Sequence, residues 1–323
     1  MSDKKMNVLE FEQQISELDR NLDALRTAAS RETRADATYE ANRMQEERDT
    51  LLRKFFAKLE PWDEVLLARH KDRPYTLDYL PALSEDFLEL HGDRLFGDDG
   101  ALVGGFGSLG GTPVMILGQQ KGRDLKERQK RNFGYVRPEG YRKALRLMQM
   151  AAKFQRPVVA LVDTPGADPN VPSEERGISE AIARNLREMV VLPTPTVSVI
   201  IGEGGSGGAL GIAVTDRVLM LEHAIYSVIA PEGCASILWR DPERKADAAR
   251  AMRVTAADAL ELGLIDEVIP EPLGGAHRSL DETAGSIRDA VTRHLADLSR
   301  QAPDALLASR YGKLRQFGRF TNV

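Results

Sequence analysis

Thr196-Val-Ser-Val-Ile-Ile-Gly-Glu-Gly-Gly-Ser-Gly-Gly-Ala-Leu210 is the stretch on which the reading of this chain turns. A buried strand, Thr196–Ile201, runs straight into five glycines between Gly202 and Gly208 and then into a helix over Ala209–Val214. Glycine lacks Cβ, so its N–H can approach a ligand closely. At a helix start those N–H groups also have no intrahelical partner, and the dipole there favours negative charge. The stretch is suited to holding an anion. Gly202-x-Gly204-x-x-Gly207 matches a dinucleotide fingerprint, with Glu222 ending the next strand as a ribose-binding acid would. Gly204-x-Ser206-x-Gly208 matches a nucleophile elbow, with His223 or His277 downstream as a base. Paired glycine amides also make an oxyanion hole that needs no side-chain nucleophile. A fourth reading is a close helix–strand contact. No Lys-Ser/Thr follows the last glycine, which excludes a P-loop.

Strands and helices alternate on both sides of this stretch. Ala101–Leu109 and Pro113–Gly118 flank Gly110-Gly111, a pair suited to a β-hairpin. Helix Pro138–Phe154 precedes the apolar run Pro157–Val162, which is short enough to be a buried strand and ends in the loop Asp163-Thr-Pro-Gly166. Helix Gly177–Val190 follows. Later come strands Arg217–Leu221 and Ile225–Ile229, then helix Ala256–Leu262, capped by Thr255 and stopped by Gly263, then strand Ile265–Ile269. This alternation implies parallel pairing, with ligand sites at strand ends. Residues 1–60 differ. Phe11, Ile15, Leu18, Leu22 and Leu25 line one helix face, and Met44 to Leu59 form a second helix beyond the polar link Ser30–Thr38. The stripe suits packing on the rest of the chain or on a partner subunit.

With 323 residues the chain holds roughly two domains, or one large α/β domain with an appendage. The 42% hydrophobic share supplies a core, and 44 Lys+Arg against 49 Asp+Glu argues against nucleic acid or an anionic membrane as main partner. The single cysteine, Cys234, leaves no disulfide framework or Cys-rich zinc site, and it reads as a small buried residue at a helix start. No pair among the five histidines is spaced i, i+4, so no metal helix is expected. Met1–Leu9 has no apolar run of a signal peptide behind it, no run approaches the ~18 residues of a membrane span, and a reducing cytoplasm is the expected address. Lys121–Arg146 carries a surplus of cations, read either as a solvated face or as an attractor of a phosphate-bearing ligand or an acidic partner.

Several blocks resemble the carboxyltransferase alpha subunits of bacterial acetyl-CoA carboxylase, within the crotonase superfamily. They include Arg73-Pro-Tyr-Thr-Leu-Asp-Tyr79, Gln120-Lys-Gly-Arg123, Pro138–Met150, Asp163–Ala167, Glu174–Gly177, Ser179–Glu188, Gly202–Leu210, Pro231–Trp239, Thr255–Pro270 and Glu271–His277, in family order. The resemblance implies an α/β fold, a crotonase-type spiral of ββα repeats with an N-terminal helical extension. The expected organisation is a helical extension over 1–95, the carboxyltransferase domain over 96–300 and a helical tail over 301–323.

It further implies transfer of a carboxyl group from carboxybiotin, carried on a biotin carboxyl carrier protein, to acetyl-CoA, giving malonyl-CoA for fatty acid synthesis. The implied partners are a zinc-ribbon beta subunit in an α2β2 assembly, and biotin carboxylase in the larger complex; no metal is expected in this chain. Gly207 and Gly208 are the expected oxyanion amides, with Gly166 and Ala167 as second donor or wall. Gly204 and Gly205 would shape the approach, and Arg176 would engage the carboxylate or serve as an exposed cap. After Ala167 the chain reads Asp168-Pro-Asn-Val-Pro-Ser173, where the family usually has Tyr and a Gly-rich stretch.

Overall fold

The computed structural model describes residues 6–32 and 35–318. The polar link at 30–38 and the tail at 301–323 therefore lie partly outside the described residues. Four helices open the chain: α1 (Val8–Glu32), α2 (Ala35–Phe56), α3 (Pro61–Ala68) and α4 (Thr76–Leu83). Then come β1 (Leu88–Glu89), β2 (Leu102–Leu109), β3 (Thr112–Gln119), α5 (Leu125–Lys130), α6 (Pro138–Lys153), β4 (Val158–Thr164), α7 (Val171–Glu175) and α8 (Ile178–Val190). The second half runs β5 (Thr196–Gly205), α9 (Ser206–Ala213), β6 (Arg217–Leu221), β7 (Ile225–Ser227), α10 (Pro231–Trp239), α11 (Lys245–Met252) and α12 (Ala256–Glu261). It closes with β8 (Glu267–Ile269), α13 (Leu280–Leu298) and α14 (Pro303–Arg315).

The strands form one sheet in the order β1-β2-β3-β4-β5-β6-β8, with β7 paired to the far end of β5. Among the named strands, only β1–β2 and β2–β3 pair antiparallel. The β2–β3 connection is the expected two-residue turn: Gly110 and Gly111 have φ of 57° and 78°, positive at both central positions as a type I′ hairpin requires. From β3 onward every pairing between named strands is parallel, which places the exits of β3, β4 and β5 on one edge. Val158–Thr164 is buried throughout, as befits a strand covered on both faces. Helices α6, α8 and α9 pack together over β2–β5, while α4 and α13 pack together on β2, β5 and β8.

The stripe on α1 packs within the chain. Phe11 and Ile15 form a buried cluster with Leu52 of α2, and the Phe11 and Phe55 rings stack 3.9 Å apart. At the other end, Arg310 of α14 is 1% exposed and uses all its N–H donors inside the protein. It meets Asp216 at 2.8 Å through Nε and Nη2, and the carbonyls of Met189, Leu192 and Thr194 at 2.6, 2.8 and 2.9 Å. Asp216 also accepts from the amide and hydroxyl of Thr196, so one buried pair fixes α14, the end of α8 and the entry to β5. Arg310→Met removes the cation and leaves Asp216 buried without it. We expect about 3–5 kcal/mol of lost stability, read from urea midpoints; a loss below about 1 kcal/mol would show that this clamp does not hold the C-terminal helix.

Candidate functional site

Strand β5 changes partners along its length. Val197–Ile200 pairs with β6, whereas Glu203–Gly205 pairs with β7. Buried side chains bridge the gap between the two ladders. Arg73 Nε donates to the Ile201 carbonyl at 2.7 Å, and its Nη1 and Nη2 bind Glu271 at 3.0 and 2.5 Å. The Glu203 amide donates to Asp163 Oδ1 at 2.9 Å, at a register shift between β4 and β5. Lys121 Nζ sits 2.8 Å from Asp163 and 2.7 Å from Glu203, and Arg69 bridges Glu203 and Glu232 at 2.6 and 2.7 Å. Burial alone would lower the Lys121 pKa, but the two carboxylates raise it, so the ammonium stays charged. Burial opposes ionisation of Glu203, yet Lys121 and Arg69 hold its pKa below the ordinary range. For Asp163, burial dominates and the pKa rises. A cavity of about 170 Å³ opens beside this network, lined by Tyr75, Lys121, Arg128, Phe133, Pro165 and Glu203 among others.

The glycine cluster is not a loop. Gly202–Gly205 continue β5, and α9 begins at Ser206, three residues before the expected Ala209. The turn from strand to helix falls on Ser206, a non-glycine residue at φ 52°. Gly207 and Gly208 therefore occupy the first turn of α9, where backbone N–H groups lack intrahelical acceptors. Gly207 is half-buried, and nothing lies within 3.8 Å of where its Cβ would sit. Gly208 is buried: a Cβ there would lie 2.5 Å from the Gly166 carbonyl carbon and 2.6 Å from the Ala167 nitrogen. A Cβ on Gly205 would lie 2.3 Å from the Pro165 oxygen. The close-contact reading thus accounts for Gly205 and Gly208, and the same contact brings Gly166 and Ala167 against the helix start. Gly204 lies against the Tyr226 ring. The Gly166 amide is 3.1 Å from the Thr164 hydroxyl, which leaves Ala167 as the freer of the two expected second donors.

Arg176 is placed elsewhere. Its Nε and Nη2 bind Glu139 at 3.2 and 3.1 Å, and its guanidinium lies 4.6 Å over the Phe96 ring. Reaching a substrate would require breaking that pair. Asp168 turns inward, 4% exposed, and accepts from Asn170 Nδ2 and Ser173 Oγ, both at 2.6 Å. The negative charge of Asp168 is thus turned onto the start of the short helix α7. Cys234 is half-buried in α10.

Neither candidate base accompanies Ser206. His223 Nδ1 pairs with Glu64 at 2.9 Å, and His277 Nε2 with Glu12 at 2.6 Å; no hydrogen bond links Ser206 to either. Glu203, the acid inside the dinucleotide match, is committed to Lys121 and Arg69. Among the described residues, Glu12, His70 and His277 form the one group with metal-ligand donors within 4.8 Å of one another. The Asp72 amide donates to His70 Nδ1 at 3.3 Å, so Nε2 carries the hydrogen and donates to Glu12 at 2.7 Å. A metal on that nitrogen would break both bonds. The group instead pins α1 to the core, beside a cavity of about 490 Å³. Sequence reading missed Gln119 and Tyr141, which touch the Gly208 carbonyl; it gave no role to Asp163 and took Lys121 only as one cation of the 121–146 surplus, although both lie in the blocks it singled out.

The family profile described as "Acetyl co-enzyme A carboxylase carboxyltransferase-like" matches residues 8–318. The chain is 53% identical to the "Acetyl-coenzyme A carboxylase carboxyl transferase subunit alpha" of Geobacter metallireducens over 312 residues, covering 97% of this chain and 98% of that one. It is 51% identical to the protein of the same description from Halorhodospira halophila, with the same coverage. Among solved structures, a transcarboxylase 12S core superposes with a TM-score of 0.58 at 21% identity, over 72% of this chain and 45% of that chain. A Pseudomonas malonate decarboxylase hetero-tetramer in complex with coenzyme A gives 0.58 at 21% identity, over 73% and 92%. These likenesses carry the fold, a crotonase-type α/β architecture.

Gly208→Ala drives a Cβ into backbone that cannot rotate away, and we expect a loss of about 1–3 kcal/mol. Gly207→Ala should be neutral or slightly stabilising; equal urea midpoints for the two variants would contradict the contact. Acid should also release α1. Burial would raise the Glu12 pKa, but hydrogen bonds from His277 and His70 lower it from 4.5 to about 2. Its contribution is therefore complete above about pH 4.5 and lost as pH falls through about 2. Amide exchange in α1 should quicken over that interval, and Glu12→Gln should abolish the dependence.

Proposed function

The chain belongs to the acetyl-CoA carboxylase carboxyltransferase alpha-subunit family, and from that premise we propose that it is the half of the enzyme that receives carboxybiotin and helps pass its carboxyl group to acetyl-CoA. In the reaction the N–CO2 bond of carboxybiotin breaks and its electron pair stays on the ureido group. That anion takes a proton from the acetyl methyl, and the resulting enolate forms a C–C bond to the released carboxyl carbon, giving malonyl-CoA. The substrate supplies the base, so this chain need not. Its task is to hold two developing oxyanions.

The observation that carries this reading is the glycine pair at the first turn of α9, presented by a buried strand with no carboxylate or imidazole hydrogen-bonded to the pair. We assign the ureido oxygen to the Gly207 and Gly208 amides, the approach to Gly204 and Gly205, and the facing wall or second donor to Gly166 and Ala167. Preorganised donors of this kind contribute ~3–4 kcal/mol each to transition-state stabilisation. Arg176 remains a candidate for the carboxylate only if it leaves Glu139. Such donors work best away from water, and in this chain alone the site lies at the surface. Val228, one residue beyond the Gly205–Ser227 pair, is 75% exposed, and Ile237 and Leu238 of α10 are 72% and 63% exposed. Exposed apolar surface at the end of β7 and on α10, the helix that Glu232 and Arg69 tie to Glu203, supports completion of the site by the beta subunit that an alpha subunit implies. The α2β2 assembly, the carrier protein, biotin carboxylase and a cytoplasmic location belong to the same proposal. No helix among the described residues is long and apolar enough to cross a membrane.

The deciding experiment combines this chain with its beta partner, carboxybiotin and acetyl-CoA and measures malonyl-CoA. Formation that depends on both chains is expected, and none under conditions where the chains associate would sink the proposal. Ser206→Ala should leave the rate within about threefold, because only backbone of this turn is used. A loss of 100-fold or so, together with covalent labelling of Ser206 by a serine-directed reagent, would favour a hydrolase instead.

A further inference from the structure

Helix α9 is a weak helix by composition: Gly207, Gly208 and Gly211 fall within its eight residues. Its placement depends on what holds its carbonyls. The Gly208 oxygen receives two side-chain donors, Gln119 Nε2 at 2.8 Å and Tyr141 Oη at 3.0 Å. Both side chains are fully buried, and they arrive from different elements, the last residue of β3 and the first turn of α6. Gln119 has a second duty, since its Oε1 accepts from the Asp163 amide at 3.1 Å. One amide side chain thus ties the end of β4 to the first turn of α9, the two segments whose backbones meet at Gly166 and Gly208. The Tyr141 ring fills the space a Cβ on Gly211 would need, and Asn185 Nδ2 bonds both the Gly211 and Tyr141 carbonyls at 2.9 and 3.0 Å. Burial raises the Tyr141 pKa well above its ordinary value, so the hydroxyl keeps the proton it donates.

We infer that Gln119 and Tyr141 are positioning residues for the anion-holding amides. By fixing the Gly208 carbonyl they set the 208–209 peptide plane and hold the Gly208 Cα, and so they anchor the first turn of α9 from which the Gly207 and Gly208 N–H groups project. Neither touches substrate. The inference rests on the reading above that these amides meet the ureido oxygen.

The test uses the full chain assembled with its beta partner. Tyr141→Phe keeps the ring against Gly211 and removes only the donor. Gln119→Glu keeps an acceptor for the Asp163 amide but has no N–H for Gly208, and Gln119→Leu loses both bonds. For Tyr141→Phe, kcat should fall about threefold to tenfold, with KM for carboxybiotin and for acetyl-CoA within about twofold and little change in Tm. Because the two donors share one acceptor, Tyr141→Phe with Gln119→Leu should lower kcat by more than the product of the single effects. Gln119→Glu should behave like Gln119→Leu in kcat if the bond to Gly208 is the one that matters. A double variant that assembles with kcat within about twofold of the parent overturns the inference. So does a loss that vanishes once rates are scaled to the folded fraction, or one confined to KM. If the unaltered assembly makes no malonyl-CoA, the functional reading falls and takes the inference with it; an active parent with an indifferent double variant removes the inference alone.

Discussion

Backbone meeting backbone is the constraint on which this structure depends. The exit of β5 and the first turn of α9 run against Pro165, Gly166 and Ala167 at distances that exclude a side chain at Gly205 or Gly208. A methyl at either place would overlap main-chain atoms, which have no rotamer to adopt in response. The contact brings the ends of neighbouring parallel strands together, and it puts two unpaired helix-start amides beside a second loop. Close packing and anion holding are two consequences of the same missing Cβ atoms.

The charged groups around this contact serve the backbone more than the solvent. Arg73 satisfies the Ile201 carbonyl and Asp163 the Glu203 amide at the point where β5 leaves one strand and joins another. Each of these side chains is neutralised in turn, Arg73 by Glu271 and Asp163 by Lys121. Removing one member would leave a buried charge unpaired, which costs far more than the net value of the intact pair. Lys121 and Asp163 are thereby explained without a catalytic role. The cations of the Lys121–Arg146 stretch divide in the same way: Lys143 is buried and Lys121 half-buried in ion pairs, while Lys126 and Lys130 of α5 are exposed.

The helical extension is part of this body through side chains distant in sequence. Glu12 bridges His70 and His277, and Arg278 reaches Asp19. A carboxylate held between two imidazoles orients α1 against the core, and Asp63 receives the Val8 amide at its start. The apolar stripe on α1 therefore has its partner within the chain.

Most of the fold was legible in local pattern. The Gly110-Gly111 turn, the Thr255 cap and Gly263 stop, and the buried strands expected at 157–162 and 196–201 follow from short-range sterics and periodicity, which a sequence displays directly. So did the family, because its blocks keep their order along the whole chain. Strand β4 runs on through Asp163 and Thr164, which local pattern reads as loop. Local pattern misjudged the point where β5 becomes α9: it ended the strand at Ile201 and began the helix at Ala209, but pairing with β7 holds Glu203–Gly205 extended, and the bend falls on Ser206. It could not reveal that Arg176 belongs to Glu139, that Asp168 is folded inward, or that Gln119 and Tyr141 converge on Gly208. Those facts join residues about 37 to 90 positions apart or depend on burial, and hydrogen-bond partnership across such distances leaves no periodic trace in a single sequence. The chain by itself determined which segments are strands, helices and turns; only the tertiary structure decided which polar groups they present to one another.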